Sequence, residues 1–250
     1  MDATLNVGQI LEAAHASPYS TLDERLGKGG LVVVAPHPDD ESLACGGLIA
    51  EARTEGRPTR VVIVSDGTGS HPASKTYPKN RLRNLREKEA KQAVSELGLD
   101  PHRDIVFLRL PDRFVPSEGP CAEKAICDIV ECINAVEARA LFVSWRHDPH
   151  CDHQASYRIA RVVQQRIPEL RLYEYTVWGS ALPPATPVER STRGFRIRID
   201  RHQPKKRRAI AAHRSQITGL IKDDPDGFRL SKSDLARFDL PYEFFFECRE

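Results

Sequence analysis

Short, continuous apolar runs alternate with longer segments of mixed polarity along most of the chain. The clearest runs are LVVVAP at residues 31–36 and TRVVIVSD at 59–66, and both are rich in β-branched residues. Apolar runs of this length, without polar alternation, are typical of strands that are buried on both faces of a sheet. The same pattern predicts further strands at 104–112, 139–145 and 170–178.

The segments between these strands have the spacing and the stop signals of helices. Gly56 and Gly98 each follow such a segment, as glycine commonly follows the last turn of a helix. Helices are predicted at 44–55, 81–97, 121–138 and 153–166. Regular alternation of strand and helix predicts right-handed βαβ units. We therefore expect an α/β, Rossmann-like open sheet, mostly parallel, with helices on both faces.

The two ends of the chain follow a different pattern. Residues 1–30 are predicted to form an N-terminal helical extension, and residues 31–250 a single domain. Residues 195–200 alternate strictly between apolar and polar, which indicates a half-exposed or edge strand. Pro204 is predicted to open a helix that continues to about residue 221, and 241–247 to form a final strand.

Composition excludes several classes of protein. The 37 Lys and Arg nearly balance the 35 Asp and Glu, which argues against a dedicated nucleic-acid binder. No apolar run approaches the ~18 residues of a membrane span, and the first residues lack the features of a secretory signal. The six cysteines form no C-x-x-C pair. A cytoplasmic protein with reduced thiols is therefore expected.

Clusters of metal-ligating side chains follow two of the predicted strands. HPDDE at residues 37–41 follows the first strand, and RHDPHCDH at 146–153 follows the fourth. In an open parallel sheet, ligands bind beyond the carboxyl ends of the strands. The two clusters are therefore expected to converge, although they are more than a hundred residues apart.

The residue types in these clusters suit a catalytic zinc site. His37 and Asp40 offer two ligands from one turn, and either His150 or His153 completes the usual set of three. Zinc lowers the pKa of bound water towards ~7 and polarises a carbonyl. Asp39 then remains as a general base, and the unused histidine as a general acid.

Each of these residues also has a simpler structural interpretation. A single Asp after a strand is usually a turn residue or a helix N-cap, and Glu41 suits the positive end of the next helix. A single His near a helix start is more often an ordinary surface residue. The density of both clusters favours the functional interpretation. Their members are His37, Asp39, Asp40, Glu41, His147, Asp148, His150, Asp152 and His153.

Four segments together resemble one known family. APHPDDESLACGG (35–47) and HCDHQA (150–155) resemble the A-H-P-D-D-E and H-x-D-H motifs of the PIG-L/LmbE-like zinc-dependent N-acetylglucosaminyl deacetylases. REKEAKQAVSELG (86–98) and LPD (110–112) resemble that family's next helix and strand end. The resemblance covers most of residues 30–156 and is looser beyond. It implies His37, Asp40 and His153 as zinc ligands.

The resemblance also implies roles for the neighbouring residues. Asp39 matches the general base, and His150 the histidine that stabilises the charged transition state or acts as general acid. Asp152 and Glu41 are expected to support the site from outside the metal's ligand set. Arg86 and Asp112 match positions that contact substrate. Some members carry a tyrosine where this chain has Asp148, so the oxyanion-stabilising group is not assigned.

The implied reaction is removal of the acetyl group from an N-acetylglucosamine-type sugar or sugar conjugate, giving a free amine and acetate. The implied cofactor is Zn²⁺ or another divalent metal, with water attacking the amide carbonyl and Asp39 accepting its proton. The alternatives are an amidase for larger N-acyl aminosugar conjugates and a non-catalytic sugar- or nucleotide-binding module. The partner is a small-molecule substrate, without nucleic acid or a membrane span; the oligomeric state is not predicted.

Two further features carry weaker expectations. Residues 190–214 contain ten Lys or Arg and one acid, Asp200, which indicates a solvated surface or, alternatively, a docking surface for an anionic substrate. Gly46 and Gly47 are expected to let the helix after the first strand pack closely against the sheet. The loop at 66–80 is long enough to form a lid, and its composition is equally consistent with an ordinary surface loop.

Overall fold

The predicted alternation of strands and helices is present in the computed structural model, which describes residues 5–188 and 193–248. The strands are β1 (Leu5–Asn6), β2 (Gly30–Ala35), β3 (Thr59–Ser65), β4 (Ile105–Leu110), β5 (Ala138–Ser144), β6 (Arg171–Tyr175), β7 (Pro187–Val188), β8 (Gly194–Arg198) and β9 (Tyr242–Glu247). The α-helices are α1 (Val7–Ala16), α2 (Leu22–Leu26), α3 (Asp40–Thr54), α4 (Lys79–Glu96), α5 (Gly119–Ala135), α6 (Cys151–Arg166), α7 (Gln203–Ala212), α8 (Arg214–Ile217) and α9 (Lys232–Ala236).

One sheet contains most of these strands, in the order β4-β3-β2-β5-β6-β9-β8. The first five are parallel to one another, β9 pairs antiparallel with β6, and β8 pairs antiparallel with β9. The prediction of a mostly parallel α/β sheet is confirmed. The strand predicted at 195–200 is β8, and it lies at the edge of the sheet as its alternating pattern indicates.

The sheet is covered on both faces, and β2 shows why its sequence is apolar throughout. Leu31 and Val33 belong to one core cluster, with side chains of α3 and α4. Val32 and Val34 point the other way and pack in a second cluster, with α5 and α6. A strand between two helical layers has no solvent-facing positions, so every residue of β2 is buried. Leu22, from the N-terminal segment, belongs to the first cluster.

The order of the strands fixes where a ligand would bind. The chain moves from β2 through β3 to β4 at one edge, and then begins again on the other side of β2 with β5. A crevice forms where adjacent parallel strands connect in opposite directions, just beyond their carboxyl ends. The segments after β2 and β5 are the two clusters of metal-ligating residues that the sequence singled out.

Some boundaries differ from the prediction. The helix predicted at 44–55 begins at Asp40. Its first turn contains Asp40 and Glu41, whose negative charges are favoured by the helix dipole, and this turn has no apolar spacing from which the start could be predicted. The helix predicted from 205 to 221 stops at Ala212, and His213 has a non-helical ψ of 54° before α8. In the predicted N-terminal helical extension, α2 forms a second helix after α1, and Thr21 and Glu24 form a capping box at its start.

Gly46 and Gly47 in α3, which were expected to allow close packing against the sheet, lie against C-terminal parts of the chain, including Ile199 directly after β8 and Glu243 in β9. A Cβ on Gly47 would lie 2.5 Å from the Ile199 side chain, and one on Gly46 would lie 3.1 Å from Cγ of Lys206. The Glu243 carboxylate accepts hydrogen bonds from the backbone N–H groups of Gly47 and Leu48, each at 2.7 Å. The absence of side chains at Gly46 and Gly47 therefore allows the C-terminal segments to pack closely against α3.

Four of the ten basic residues in the segment at 190–214 form ion pairs with acids from other parts of the structure. The described ion pairs are Arg201 with Glu51, Lys206 with Glu243, Arg207 with Asp239 and Arg208 with Glu96. Arg190 lies outside the described residues. In the part of the chain that the structure covers, no helix combines the length and apolar character needed to cross a membrane.

Candidate metal centre and active site

Three ligand atoms from the two clusters face one another across the crevice. His37 Nδ1 lies 3.2 Å from His153 Nε2 and 3.4 Å from Asp40 Oδ2, and His153 Nε2 lies 3.2 Å from that same oxygen. Atoms bound at about 2.0–2.1 Å to one tetrahedral zinc ion are roughly 3.3–3.4 Å apart. The spacing of these three atoms therefore fits a single metal ion.

The fold brings these residues together through adjacent strand ends. His37 follows β2 between two prolines, Asp40 is the first residue of α3, and His153 lies in the first turn of α6. Asp40 Oδ2 also accepts a hydrogen bond of 2.9 Å from the backbone N–H of His37, which fixes the turn. Because β2 and β5 are neighbours, the segments that follow them meet at the same edge.

The charges around the three atoms favour a cation between them. Burial alone would lower the pKa of His153, but the carboxylates of Asp40 and Asp148 raise it to about 9. The pKa of His37 is likewise raised against burial, by Asp112, Asp152 and Asp40. A set of carboxylates that draws positive charge onto two buried imidazoles provides the same field for a divalent ion.

The far side of His37 is held by a second pair of carboxylates. His37 Nε2 lies 3.2 Å from Asp152 Oδ2 and 3.4 Å from Asp112 Oδ1. Asp152 is itself fixed by the backbone N–H groups of Arg113 and Val115, at 2.6 and 3.1 Å. Metal-binding histidines commonly donate a hydrogen bond from their other ring nitrogen to a carboxylate in this way. Asp112, expected to contact substrate, lines the pocket as well.

Sequence reasoning missed the corresponding partner of His153. The Asp148 carboxylate is fully buried and lies 3.3 Å from His153 Nδ1. It also accepts hydrogen bonds from the backbone N–H groups of Trp178, at 2.8 Å, and Gly179, at 3.2 Å. Asp148 occupies a position where some members of the family that the sequence resembles carry tyrosine. This difference was the one indication in the sequence that Asp148 has a role of its own.

Asp39 lies next to the three ligand atoms in an unusual backbone conformation. Its φ of 148° is a region that favours glycine, and non-glycine residues held there are concentrated at functional sites. Burial raises its pKa and the Arg86 guanidinium opposes that rise, while the Asp40 carboxylate adds to it, so that the pKa reaches about 7. A carboxyl group with such a pKa is suited to proton transfer near neutrality.

Arg86 and Glu41 both act on the Asp39 segment. Arg86 is only 3% exposed; it donates to the carbonyl oxygens of Pro38 and Gly67, and its Nη2 lies 3.4 Å from Asp39 Oδ2. Glu41 accepts a hydrogen bond from the Asp39 backbone N–H at 3.0 Å and pairs with His213 at 2.9 Å. Glu41 thus supports the backbone of Asp39 and contacts the ring of His213.

His150 completes the cluster from the start of α6. As the N-cap residue, its Nδ1 accepts a hydrogen bond of 3.2 Å from the Asp152 backbone N–H. A ring nitrogen of His150 lies within 4.8 Å of ligand nitrogens of His37 and His153, so all three imidazoles converge. Burial and the two other imidazoles lower the pKa of His150 to about 4, which keeps it neutral at physiological pH.

A cavity of about 460 Å³ opens above these side chains. His37, Asp39, Asp40, Arg86 and His150 form its polar wall. Its lining also includes the apolar side chains of Trp178, Ala181, Leu182 and Phe228. The pocket thus presents the candidate metal centre to a ligand of the size of a sugar.

The loop at 66–80 forms another side of this pocket and is anchored rather than free. Its Gly69 and Ser70 line the cavity. Asp223 accepts hydrogen bonds from the backbone N–H groups of Lys75 and Thr76, at 2.9 and 2.7 Å. The loop is therefore bound to the segment that carries Phe228, whose N–H donates to the Ser70 carbonyl at 2.7 Å.

Comparison with known proteins identifies the family to which this chain belongs. The family model described as PIG-L, GlcNAc-PI de-N-acetylase, matches residues 32–164, more than half of the chain and both ligand clusters. A relative from Saccharomonospora viridis, a 1D-myo-inositol 2-acetamido-2-deoxy-alpha-D-glucopyranoside deacetylase, is 30% identical over 247 residues. That match covers 80% of this chain and 88% of the relative.

Two more matches extend the comparison. A probable N-acetyl-alpha-D-glucosaminyl L-malate deacetylase 2 from Bacillus anthracis is 26% identical over 208 residues, covering 79% of this chain and 87% of that protein. The solved structure of N,N'-diacetylchitobiose deacetylase from Pyrococcus horikoshii has a TM-score of 0.65 at 17% identity. It covers 90% of this chain and 85% of its own, and confirms the fold.

Proposed function

Since the chain belongs to the PIG-L family of GlcNAc-PI de-N-acetylases, we propose that it is a metal-dependent hydrolase that removes the N-acetyl group from an N-acetylglucosamine-type sugar or sugar conjugate. The observation that carries this proposal is the triangle of His37, Asp40 and His153 donor atoms beside Asp39 at the base of a pocket. Its relatives are named as deacetylases of acetamido-sugar conjugates.

His37, Asp40 and His153 would hold the metal, which we propose to be zinc. Two imidazoles and a carboxylate are a donor set that zinc accepts, with room for a further ligand. When bound, the ion supplies positive charge that polarises the amide carbonyl and makes water more acidic. Asp152 and Asp148 would keep the two histidine rings oriented, because each lies against the ring nitrogen that faces away from the triangle.

Asp39 would act as the general base. Its carboxylate lies on the pocket wall beside the ligand triangle and can accept a proton from the water that attacks the amide carbon. Arg86 holds this carboxylate from behind, and Glu41 holds its backbone N–H. A base fixed from two sides does not have to reorganise when the substrate arrives.

His150, which also lines the pocket, would act on the reacting amide as well. It is neutral at physiological pH, and a neutral imidazole N–H can donate a hydrogen bond to the oxygen on which negative charge develops. When the C–N bond breaks, the amine must gain a proton. The pocket offers two groups for that transfer, namely Asp39, which holds the proton taken from water, and His150.

A screen of acetate release tests the proposed function. The substrates would be N-acetylglucosamine conjugates that differ in the group attached to the sugar, and a second series would lengthen the acyl group from acetyl to propionyl and butyryl. We expect release of acetate from at least one acetamido-sugar conjugate and little release of the longer acids. Faster release of the longer acyl groups would favour the larger-acyl amidase, and no release from any conjugate would contradict hydrolysis.

A further inference from the structure

A second group of metal-ligating atoms lies at the edge of the active-site pocket, and it includes a thiol that the proposed reaction does not use. His150, Cys151 and Asp152 are consecutive residues at the start of α6, and one ligand atom from each lies within 4.8 Å of the others. Cys151 is an exposed free cysteine. The group therefore combines a thiol, an imidazole and a carboxylate, and an ion can reach it from solvent.

The local backbone turns these three side chains to the same side. Because His150 is the N-cap of α6, its Nδ1 folds back to the Asp152 N–H, at 3.2 Å. The Cys151 sulfur lies 3.8 Å from Asp152 Oδ1 and 3.5 Å from the Arg113 carbonyl oxygen. Asp152 is held in place by backbone N–H groups of the β4–α5 segment. Two of the three donors are thus positioned by the fold before any ion arrives.

The chemistry of the donor set selects a particular class of ion. Thiolate ligands select zinc and other soft or borderline cations, whereas Mg²⁺ and Ca²⁺ require sets made of oxygen atoms. The carboxylate of Asp112, 3.4 Å from His37 Nε2, adds negative charge on the same side of the pocket. A zinc or cadmium ion would displace the thiol proton of Cys151 into solvent as the sulfur–metal bond forms.

We propose that His150, Cys151 and Asp152 form a second, inhibitory site for a thiophilic divalent cation such as Zn²⁺ or Cd²⁺, distinct from the His37–Asp40–His153 set. Binding at this site depends only on the three residues. Its inhibitory effect rests on the proposed function, because an ion on His150 removes the imidazole that is needed by the reacting amide. Cys151 occupies the variable position of the H-x-D-H motif, so the site is a property of this chain.

Metal titration of the zinc-loaded protein tests the binding without any substrate. Cd²⁺ or Co²⁺ bound through a thiolate gives a charge-transfer absorption band, which the His/Asp set cannot produce. We expect the wild-type protein to take up a further equivalent of Cd²⁺ with this band, and Zn²⁺ but not Mg²⁺ to protect Cys151 from alkylation by iodoacetamide. Mass spectrometry of the peptide that contains Cys151 measures the protection.

Matched cysteine variants assign the signal to one residue. Cys151→Ser and Cys151→Ala are both expected to lose the band and the additional equivalent, whereas Cys127→Ser, which removes another exposed cysteine, is expected to keep them. A band that persists in both Cys151 variants, or that is absent from the wild-type protein at saturating Cd²⁺, would overturn the site.

An activity measurement then tests the inhibition separately. Each protein is compared with its own deacetylase rate without added metal, as Zn²⁺ is raised beyond one equivalent. The wild-type and Cys127→Ser proteins should lose at least tenfold in rate, and Cys151→Ser should lose less than twofold. Equal inhibition of all three would contradict the inhibitory role. If none of the proteins releases acetate, the proposed function fails, and the absorption and alkylation experiments still decide the site.

Discussion

The Asp148 carboxylate lies 3.3 Å from Nδ1 of His153, on the opposite side of the ring from the Nε2 atom that faces His37 and Asp40. Both residues are fully buried. A carboxylate in this position sets which nitrogen carries the proton and leaves the other free to bind a metal. In the proposed metal site, the orientation of His153 would thus depend on a residue outside the set of ligands.

We therefore predict that Asp148→Asn weakens metal binding by about 10–100-fold, the usual cost of removing such a partner. Competition with a fluorescent chelator measures the affinity. Asp128→Asn is the matched control, because Asp128 pairs only with Lys124 on the exposed face of α5 in the described contacts. Equal affinities for the Asp148 variant and the wild-type protein would show that His153 needs no partner.

Asp39→Asn separates catalysis from metal binding. The substitution keeps the shape of the side chain but removes its ability to accept a proton. We expect kcat to fall by about 10²–10⁴-fold, the usual contribution of a general base, while metal content stays at the wild-type value. Acetate release and metal analysis of the same preparation measure the two effects. A variant that keeps its turnover would remove Asp39 from the role of base.

Gly47→Ala tests the close contact between α3 and the segment that follows β8. The new methyl group would lie 2.5 Å from the side chain of Ile199, which is fully buried and cannot easily move. Overpacking of this kind lowers the free energy of unfolding by about 1–3 kcal/mol, as urea denaturation would measure.

Gly46→Ala is the control for this substitution, since its methyl group would lie 3.1 Å from Cγ of Lys206, a much less severe contact than that at Gly47. Alanine is also the better helix former, so we expect this variant to lose much less stability than Gly47→Ala. Equal losses in the two variants would indicate that the backbone conformation matters here, rather than the contact with Ile199.

The buried pair of His213 and Glu41 should make stability depend on pH. Burial lowers the pKa of His213, but Glu41, whose Oε1 lies 2.9 Å from the ring, raises it above its ordinary value. Protonation of His213 is more favourable in the folded protein than in the unfolded chain, so it stabilises the fold. This contribution is fully present below about pH 6.5, the pKa of histidine in the unfolded chain, and it is lost as pH rises through the pKa of His213 in the folded protein.

His213→Gln should therefore destabilise the protein more at about pH 6 than at about pH 9, by up to about 1.5–3 kcal/mol for a hydrogen bond to a charged group. Urea unfolding of the variant and the wild-type protein at both pH values measures the difference. A difference that grows as pH rises would have the wrong sign for a protonated His213.

The sequence predicted the layers of the fold because buried parallel strands such as β2 are apolar at every position. It also predicted that the two ligand clusters would meet, since both follow strands of one parallel sheet. The pattern of apolar positions did not place the start of α3 at Asp40, because polar first turns carry no such pattern. The end of α7 at Ala212 was missed for a related reason: neither glycine nor proline marks it.

The contacts that support the site were harder to predict. The pairing of Asp148 with His153 depends on the rotation of one ring, and the pairing of Glu41 with His213 joins residues 172 positions apart. Neither follows from spacing along the chain. Asp39 and Asp40 are adjacent and chemically identical. Only the backbone geometry after β2 turns Asp40 towards the histidines and Asp39 towards Arg86.

We propose that His37, Asp40 and His153 together hold one metal ion that the reaction requires. Acetate release from an N-acetylglucosamine conjugate tests this requirement directly, with protein that is stripped by a chelator and then titrated with zinc, and with metal analysis of each sample. We expect no activity after stripping and full recovery near one equivalent of zinc, with no recovery in His153→Ala. Full activity in a stripped sample that contains no detectable metal would contradict it.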